Sequence, residues 1–455
     1  MDKLTEYLQG IDEVSHITFD PKTSSVVRIH LIPPQKIKLG IAWVVIINGE
    51  SILPISCGWA ILLREFINNI NLHEHHEISQ EEIDEAIEKT TDQAAILFPK
   101  AKKSLFKEDL KELLDVILSI GHRDGKYKKV GDMTIKDYAK YMSGPHRMDL
   151  MISAMEKDGH WNCNQKCLNC YAAGEAKSGE KELTTEEWLE VINRLRKARI
   201  PQLTFTGGEP TLRSDLVELV KASSWFVTRL NTNGKLLTKK LCQDLYDASL
   251  DAVQVTLYSS VSSIHNLLVG SDGFEKTIEG IRNAVEAKLL VSINTPLCSL
   301  NKNYLELIKY IYENFNIKYF TCSGLILTGS AKDTKDIRLS REELVEILRT
   351  TKEYCKLHDI EVKFTTPGLL TKKDYQELDL AMPMCGACIS NMAISPSGDV
   401  IPCQSWLKGD SFGNILNKNF KDIWKSKELK KVKNNALKSL DLCPLSESVK
   451  NHEKN

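Results

Sequence analysis

The chain has 455 residues, a net charge of −1 from 60 basic and 61 acidic side chains, and 42% hydrophobic residues. That length exceeds one ordinary hydrophobic core, so two or three domains are expected. The balanced charge leaves no electrostatic footprint for nucleic acid or a membrane surface, and neither is expected as a partner.

In chain order, Met1–Asp12 is polar and mixed in charge, without the apolar core of a secretion signal. The most apolar stretch, Ile41–Asn48 followed by Ile52–Leu63, is broken by Asn48, Gly49 and Glu50 and cannot span a bilayer. A cytoplasmic protein with reduced thiols is expected. Twelve cysteines in that setting point to metal binding rather than disulfides. β-Branched runs predict strands at Val26–Leu31 and Ala42–Ile47, and Asn48-Gly49 predicts a hairpin turn. Helical periodicity over Pro54–Asn69, Ser79–Leu97 and Leu105–Ile120 completes an α+β module over residues 1–125, with Gly121–Lys128 as a linker. His73, His75 and His76 read as a solvated loop, and the lysine runs Lys100–Lys103 and Lys425–Lys433 as solvated helix faces.

From Asp149 the pattern alternates. Apolar strand segments at Leu203–Phe205, Thr228–Asn231, Ala252–Leu257, Leu289–Asn294 and Tyr319–Leu325 are separated by amphipathic helices at Thr185–Lys197, Leu216–Ser224, Lys239–Ala248, Gly273–Ala287 and Tyr304–Asn314. Alternation of this kind predicts an α/β fold over residues 149–340, with a parallel sheet or barrel of right-handed βαβ units. Its chemistry is expected at the C-terminal ends of the strands. After a helix at Ser340–Leu357, a smaller domain is expected over residues 358–455. It would hold a hairpin at Met384–Cys403 turning at Ser397-Gly398-Asp399, a helix at Phe420–Val432, and a frayed terminal dozen residues.

The strongest signal is Cys163, Cys167 and Cys170, spaced CxxxCxxC and followed by Tyr171. Three thiolates so close can wrap one face of a cubane iron–sulfur cluster and leave its fourth iron without a protein ligand. Structural zinc favours paired CxxC ligands and closed coordination, so the spacing counts against it. His160 and Trp161, beside this loop, could contact a cofactor or simply pack. Further on, Thr206-Gly207-Gly208-Glu209-Pro210 follows a strand, and its glycine pair lets backbone carbonyls approach a ligand. Asn231-Thr232-Asn233-Gly234 ends the next strand. A second set, Cys385, Cys388, Cys403 and Cys443, could close the coordination of one cubane cluster, although a zinc ribbon uses the same ligand types. Cys57, Cys242, Cys298, Cys322 and Cys355 read as small buried hydrophobes, with Cys298 and Cys322 near enough to strand ends to reach a cavity.

As a set, these motifs resemble the radical S-adenosylmethionine (radical SAM) superfamily. The resemblance implies a partial (β/α)6 TIM-like barrel and a [4Fe-4S] cluster on Cys163, Cys167 and Cys170. S-adenosylmethionine would chelate the open iron and be cleaved to a 5′-deoxyadenosyl radical that abstracts a substrate hydrogen. Cofactor contacts are implied for Gly207, Gly208, Glu209, Pro210, Asn231, Asn233, Ser259 and Tyr171. The segment Gln254–Ser260 with His265 and Gly270 resembles the family's SLDG…HD…RG pattern but departs from it. Tyr258 replaces the Asp, Ser259 the Gly and Val269 the Arg, and Asn169 stands where an aromatic is common. The C-terminal cysteines resemble the SPASM or twitch appendage, implying a second, auxiliary [4Fe-4S] cluster in a single-cluster version. Enzymes so equipped often crosslink, thioether-link or epimerise ribosomally made peptides. The N-terminal module resembles the winged-helix element that binds leader peptides by strand addition, with Val26–Leu31 as the candidate edge strand. A stabilising cap over the barrel is the other reading of that module. The expectation is therefore a radical SAM oxidoreductase acting on a peptide and served by an electron donor such as ferredoxin or flavodoxin. A radical enzyme acting on a small molecule such as an aminosugar, and a non-catalytic iron–sulfur or zinc protein, are the alternatives.

Overall fold

Strands with apolar residues at alternate positions begin the chain, and each must cover its apolar face. In the computed structural model β1 (Ser15–Phe19), β2 (Val27–Ile32), β3 (Trp43–Ile47) and β4 (Ser51–Ile55) form an antiparallel sheet in sequence order. The structure describes residues 3–443 except 12, 20–26, 35, 49–50, 73–77, 123–138, 140, 158–159, 175–180, 408, 410 and 439–441. His73, His75, His76, most of the expected linker and the terminal dozen residues therefore lie outside the described residues. A short helix, α1 (Lys3–Gln9), precedes the sheet, and α2 (Cys57–Asn71), α3 (Gln80–Leu97) and α4 (Lys103–His122) follow it. Val27, Ile29 and Leu31 pack with Trp43, Val45 and Ile47 against Ile61, Leu63 and Phe66 of α2 and Leu113 and Ile117 of α4. Each such side chain contributes about 1.5–3 kcal/mol on burial, so this unit carries its own core.

Two sequence expectations change here. Pro54 lies in β4 rather than opening a helix, and α2 starts at Cys57, where the Ser56 hydroxyl caps it by accepting from the Trp59 amide at 3.2 Å. The strand expected at Val26–Leu31 is not an edge strand. Its described part, β2, pairs with β1 on one side and β3 on the other, so β1 and β4 are the edges. The polar alternation of Ser15-His16-Ile17-Thr18-Phe19 hid β1, and with it the register of the sheet.

The second unit is built on one mixed, mostly parallel sheet. Its strands are β5 (Arg147–Ser153), β8 (Gln202–Gly207), β9 (Val227–Thr232), β10 (Ala252–Thr256), β11 (Leu290–Leu297), β12 (Tyr319–Gly324) and β13 (Glu361–Phe364), all parallel to their neighbours. Beyond β5, β14 (Asn391–Ile394) adds in parallel and β15 (Val400–Ile401) antiparallel. Glu156–Lys157 (β6) and His160–Trp161 (β7) form a minimal hairpin after β5. Helices between strands include α5 (Thr185–Lys197), α6 (Leu216–Ala222), α7 (Lys239–Asp247), α8 (Ser262–Val269), α9 (Phe274–Glu286), α10 (Tyr304–Phe315) and α11 (Arg341–Leu357). This is the α/β architecture expected from the sequence. The strands β5 and β13 are additions to it, and the helix expected at Phe420–Val432 is two. After α12 (Lys372–Glu377), α13 (Phe420–Lys425) ends at Ser426, whose hydroxyl accepts from the Leu429 amide at 3.2 Å and starts α14 (Lys427–Lys438).

Helix α9 is pressed onto the turn after β9. A Cβ added at Gly280 would stand 2.1 Å from the Gly234 carbonyl oxygen and 3.1 Å from Leu237 Cβ. Alanine gains about 1 kcal/mol of helix propensity over glycine, but the clash here is with backbone and cannot be relieved by a rotamer. Gly280→Ala is expected to lower stability by about 1–3 kcal/mol, read as a decreased urea midpoint with unchanged slope.

Candidate functional site

The strand ends build the site. Gly207 closes β8 at φ +130°, and a Cβ there would stand 2.2 Å from the Ser153 carbonyl oxygen, so only glycine lets this turn seat against β5. The next residue, Gly208, presents its carbonyl to Cys163, whose thiol donates to it at 3.6 Å. Glu209 follows and is buried at 1% exposure. Its carboxylate accepts from the Thr211 amide at 3.0 Å and hydroxyl, the Thr232 hydroxyl at 2.6 Å and the Asn233 amide at 2.8 Å. Burial raises its pKa, and these donors oppose the rise. Glu209 thus ties the turn after β8 to the turn after β9.

The cysteine loop is held from several sides. The Trp161 indole donates to the Gln165 carbonyl at 2.8 Å, and the Lys166 and Leu168 amides donate to Val269 and Leu268 at 3.0 and 2.9 Å. Gly270 ends α8 in the left-handed conformation, and a Cβ there would meet the Lys166 carbonyl at 2.4 Å. From the other side the Ser330 amide donates to the Cys170 carbonyl at 2.9 Å, and the Thr334 hydroxyl to Asn169 Oδ1 at 2.8 Å. Asn233 Nδ2 donates to Asn164 Oδ1 at 2.6 Å, joining the loop to the turn after β9.

Cys163, Cys167 and Cys170 share one cleft of about 1830 Å³ with Gly207, Gly208, Glu209, Asn231, Asn233 and Tyr171. Burial pushes the Cys163 thiol up to about 11, with Glu209 and Cys170 adding to the rise. Burial, then the charges of Cys170 and Cys163, raise Cys167 too. The three sulfurs therefore face one another in a low-dielectric pocket that needs a cation to hold them as thiolates. Among the described residues no three acidic, His or Cys side chains converge on the point a single metal ion would need. Three thiols lining one cleft beside the Gly207-Gly208 turn are the donor set a cubane takes at three of its corners.

Two of the residues implied by resemblance do not line the cleft. Pro210 starts the one-turn helix Pro210–Leu212, and Ser259, 6% exposed, accepts from the Val261 amide at 3.0 Å. Cys298 and Cys322 are buried and also lie outside the lining, as small core residues do. Sequence motifs missed the strand-borne polar wall. It consists of Arg147, Thr204, Arg229, Gln254, Thr256, Asn294, Thr321 and Ser323. Period-two alternation puts these side chains inside the barrel and could have found them. Thr204 Oγ1 and Asn231 Oδ1 are buried there without a hydrogen-bond partner among the described residues, poised for a bound ligand.

The second cysteine set also gathers. Cys388, at φ +57°, sits in a tight turn where its amide donates to the Asn391 carbonyl at 3.1 Å. Burial raises its thiol, followed by the charges of Cys403 and Cys385. Cys403, after β15, is pushed up to about 12 by burial, with Cys443 and Cys385 contributing. Burial, with the Cys443 charge contributing, raises Cys385 as well, and four thiols supply the donor set of a closed cubane as the first three supply that of an open one. Gln404 and Ser405, next to Cys403, line the cleft of the first set.

The profile of the radical SAM superfamily matches residues 162–311, and that of the SPASM iron–sulfur cluster-binding domain residues 385–445. The chain is a radical SAM enzyme with an SPASM domain. Relatives include an AdoMet-dependent heme synthase of Oleidesulfovibrio alaskensis, 26% identical over 59% of this chain and 73% of that protein. A PqqA peptide cyclase of Bradyrhizobium diazoefficiens is 28% identical over 58% and 71%. Among solved structures, Streptococcus suis SuiB bound to its precursor peptide SuiA aligns with a TM-score of 0.58 at 15% identity, over 86% of this chain and 87% of that one, which shows a shared fold. The radical SAM domain implies a [4Fe-4S] cluster and S-adenosylmethionine, and the SPASM domain implies auxiliary iron–sulfur binding. No helix among the described residues is long and apolar enough to cross a membrane.

His265 gives this radical SAM domain a pH signature. It is fully buried, its Nδ1 accepts from the Tyr258 amide at 3.3 Å, and burial, with the Lys235 charge, brings its pKa down from 6.5 to about 4. The unfolded chain binds a proton between pH 6.5 and 4 that the folded chain refuses. His265 thus favours folding fully above about pH 6.5 and progressively less as pH falls to 4, by up to about 3 kcal/mol. Urea unfolding of the cluster-free protein should show this slope, and His265→Gln, which still accepts from Tyr258, should flatten it.

Proposed function

We propose that this enzyme matures a ribosomally made peptide, recognised through its leader by the N-terminal unit. The observation that carries this reading is an antiparallel sheet in which β4 is an edge strand among the described residues, followed directly by three helices. Proline in a strand is tolerated where its missing N–H faces away from the ladder, so Pro54 fits an outer edge. Strand addition to such an edge supplies main-chain hydrogen bonds without demanding a fixed sequence. The sequence likeness to a peptide cyclase supports the same class of substrate. The likeness to a heme synthase favours a tetrapyrrole instead. The cleft wall carries a row of arginine, amide and hydroxyl side chains, which can hydrogen-bond peptide groups.

Cys163, Cys167 and Cys170 are assigned to the cluster that binds S-adenosylmethionine, and Cys385, Cys388, Cys403 and Cys443 to the auxiliary cluster. When bound, the first cluster supplies the electron that cleaves S-adenosylmethionine and releases the radical that takes a substrate hydrogen. The protein's own part is positional. Glu209 ties its own turn to the Asn233 turn, and Asn231 and Thr204 offer unspent polar atoms to ligands. A cytosolic setting and a small one-electron donor fit this chemistry.

The test co-expresses a candidate precursor peptide with the enzyme and weighs it by mass spectrometry. A mass change that requires the enzyme is expected. Ile52, two residues before Pro54, has its N–H on the same open side, so Ile52→Pro should weaken peptide binding at least tenfold while 5′-deoxyadenosine formation without peptide persists. Normal peptide modification by that variant would contradict leader recognition at β4, and loss of uncoupled cleavage would favour a structural cap.

A further inference from the structure

The inner wall of the barrel carries charge toward the N-terminal ends of its strands, away from the cysteine loop. Register sets Asp149 of β5 beside Thr204 of β8, and Thr204 beside Arg229 of β9, so the three share one row across the sheet. Arg147 stands two residues before Asp149, on the same face. Asp149 is buried at 2% exposure and holds the Arg147 guanidinium in an ion pair, with Nε at 2.8 Å and Nη2 at 3.4 Å. Nη1 of Arg147 has no partner among the described residues. Thr204, 1% exposed, leaves its Oγ1 without a hydrogen bond among them, although a buried hydroxyl ordinarily finds one. Arg147, Thr204 and Arg229 all line the cleft.

The cofactor motifs stand at the other end of the strands. Asn233, tied to Glu209 and to Asn164 of the cysteine loop, follows Arg229 by four residues, about 13 Å of extended chain. A group bound in the row of Asp149, Thr204 and Arg229 is therefore set apart from S-adenosylmethionine at its cluster. The cleft, about 1830 Å³, exceeds the roughly 300–1,000 Å³ of an ordinary ligand pocket and has room for a cofactor and part of a substrate. Among its lining residues Arg147 and Arg229 carry positive charge. The one carboxylate there, Glu209, spends its oxygens on Thr211, Thr232 and Asn233. A guanidinium beside a hydroxyl suits a carboxylate, which accepts from both.

We propose that Arg147, Thr204 and Arg229 form a specificity subsite for a carboxylate of the substrate peptide, with Asp149 as the positioning residue of Arg147. The subsite rests on the peptide-maturase reading and adds a chemical feature of the peptide it takes. The carboxylate belongs to an acidic side chain or to the peptide's C-terminus, and it anchors the chain away from the point of hydrogen abstraction. Nη1 of Arg147 and the Thr204 hydroxyl donate to it, and Arg229 adds charge. A neutral amide of the same shape meets these donors less well, and a site built for hydrogen bonds rejects the analogue that leaves them short. No covalent bond is made or broken at the subsite.

The measurement is kcat/KM, by mass spectrometry with the full-length, cluster-loaded enzyme, for a precursor peptide and for forms of it neutralised one carboxyl at a time. Amide replacements report on each acidic side chain, and a C-terminal amide reports on the terminus. Absence of any enzyme-dependent mass change in the parent peptide would defeat the peptide reading, and the subsite with it. With a modified peptide in hand, at least one neutral form should lose about tenfold or more in kcat/KM. Equal rates on the parent peptide and every neutral form would overturn the subsite and leave the peptide reading standing. In enzyme carrying Arg147→Gln together with Asp149→Asn, which removes both buried charges at once, the preference for the carboxylate should vanish. In Thr204→Val, which removes only the hydroxyl, it should shrink. A preference kept in full by either variant, with all peptides slowed alike, is what a structural role predicts and would overturn the assignment. Should the double variant fail to fold, Thr204→Val and the neutral peptides still decide between these outcomes.

Discussion

A single buried carboxylate organises the centre of this enzyme. Glu209 sits in the low-dielectric interior, where an unpaired charge would be forced to take up a proton. It is instead ringed by donors from its own turn and from the turn after the next strand. Hydrogen bonds to a charged group are worth about 1.5–3 kcal/mol each, and here they oppose, without cancelling, the rise in pKa that burial imposes. Everything nearby is indexed to that anchor. Gly207 and Gly208 approach β5 and the Cys163 thiol, while Asn233 reaches across to Asn164 of the cysteine loop. Loss of the carboxylate would release two strand-end turns and one face of the loop together.

The second constraint is electrostatic and runs the length of the larger unit. Seven cysteines lie in two groups, and burial, then neighbouring cysteine charge, raises the thiols of Cys163, Cys167, Cys385, Cys388 and Cys403. Neither group is comfortable as bare thiolate, so the fold stores a demand for positive charge at two places. The strand β14 pairs directly with β5, and residues after Cys403 share the cleft of Cys163, Cys167 and Cys170. The appendage is thereby part of the active-site wall rather than a remote module. Tyr171 lines the same cleft, where burial, with the charges of Cys170, Asp149 and Cys403 contributing, raises its phenol.

Motif residues were legible in the sequence because their spacing is local. CxxxCxxC and Gly-Gly-Glu-Pro each sit within one strand-to-loop transition, and the strand–helix alternation around them fixed the fold class. What stayed hidden depends on pairing between distant segments. The strand β5, with Arg147 and Asp149 breaking its apolar run, gives no clean periodic signal, although it is the central partner of both β8 and β14. Val26–Leu31 reads as an edge from sequence because its neighbour β1, Ser15–Phe19, alternates polar residues and carries little strand signal. A run of lysines also hides Lys433, which stands between buried Leu429 and Ala436 with its ammonium over the Trp424 ring. The departures Tyr258 and Val269 are likewise explained only in three dimensions, where both pack with Leu268, Cys298 and Cys167 into a small core behind the cysteine loop.

The most direct test of the account is the yield of 5′-deoxyadenosine and methionine from S-adenosylmethionine, with dithionite, by anaerobically reconstituted protein. The intact chain should cleave the cofactor, and the variant in which Cys163, Cys167 and Cys170 are replaced by Ala should lose cleavage entirely while keeping about half of its iron. Undiminished cleavage by that variant would contradict the assignment of the cluster and of the reaction built on it.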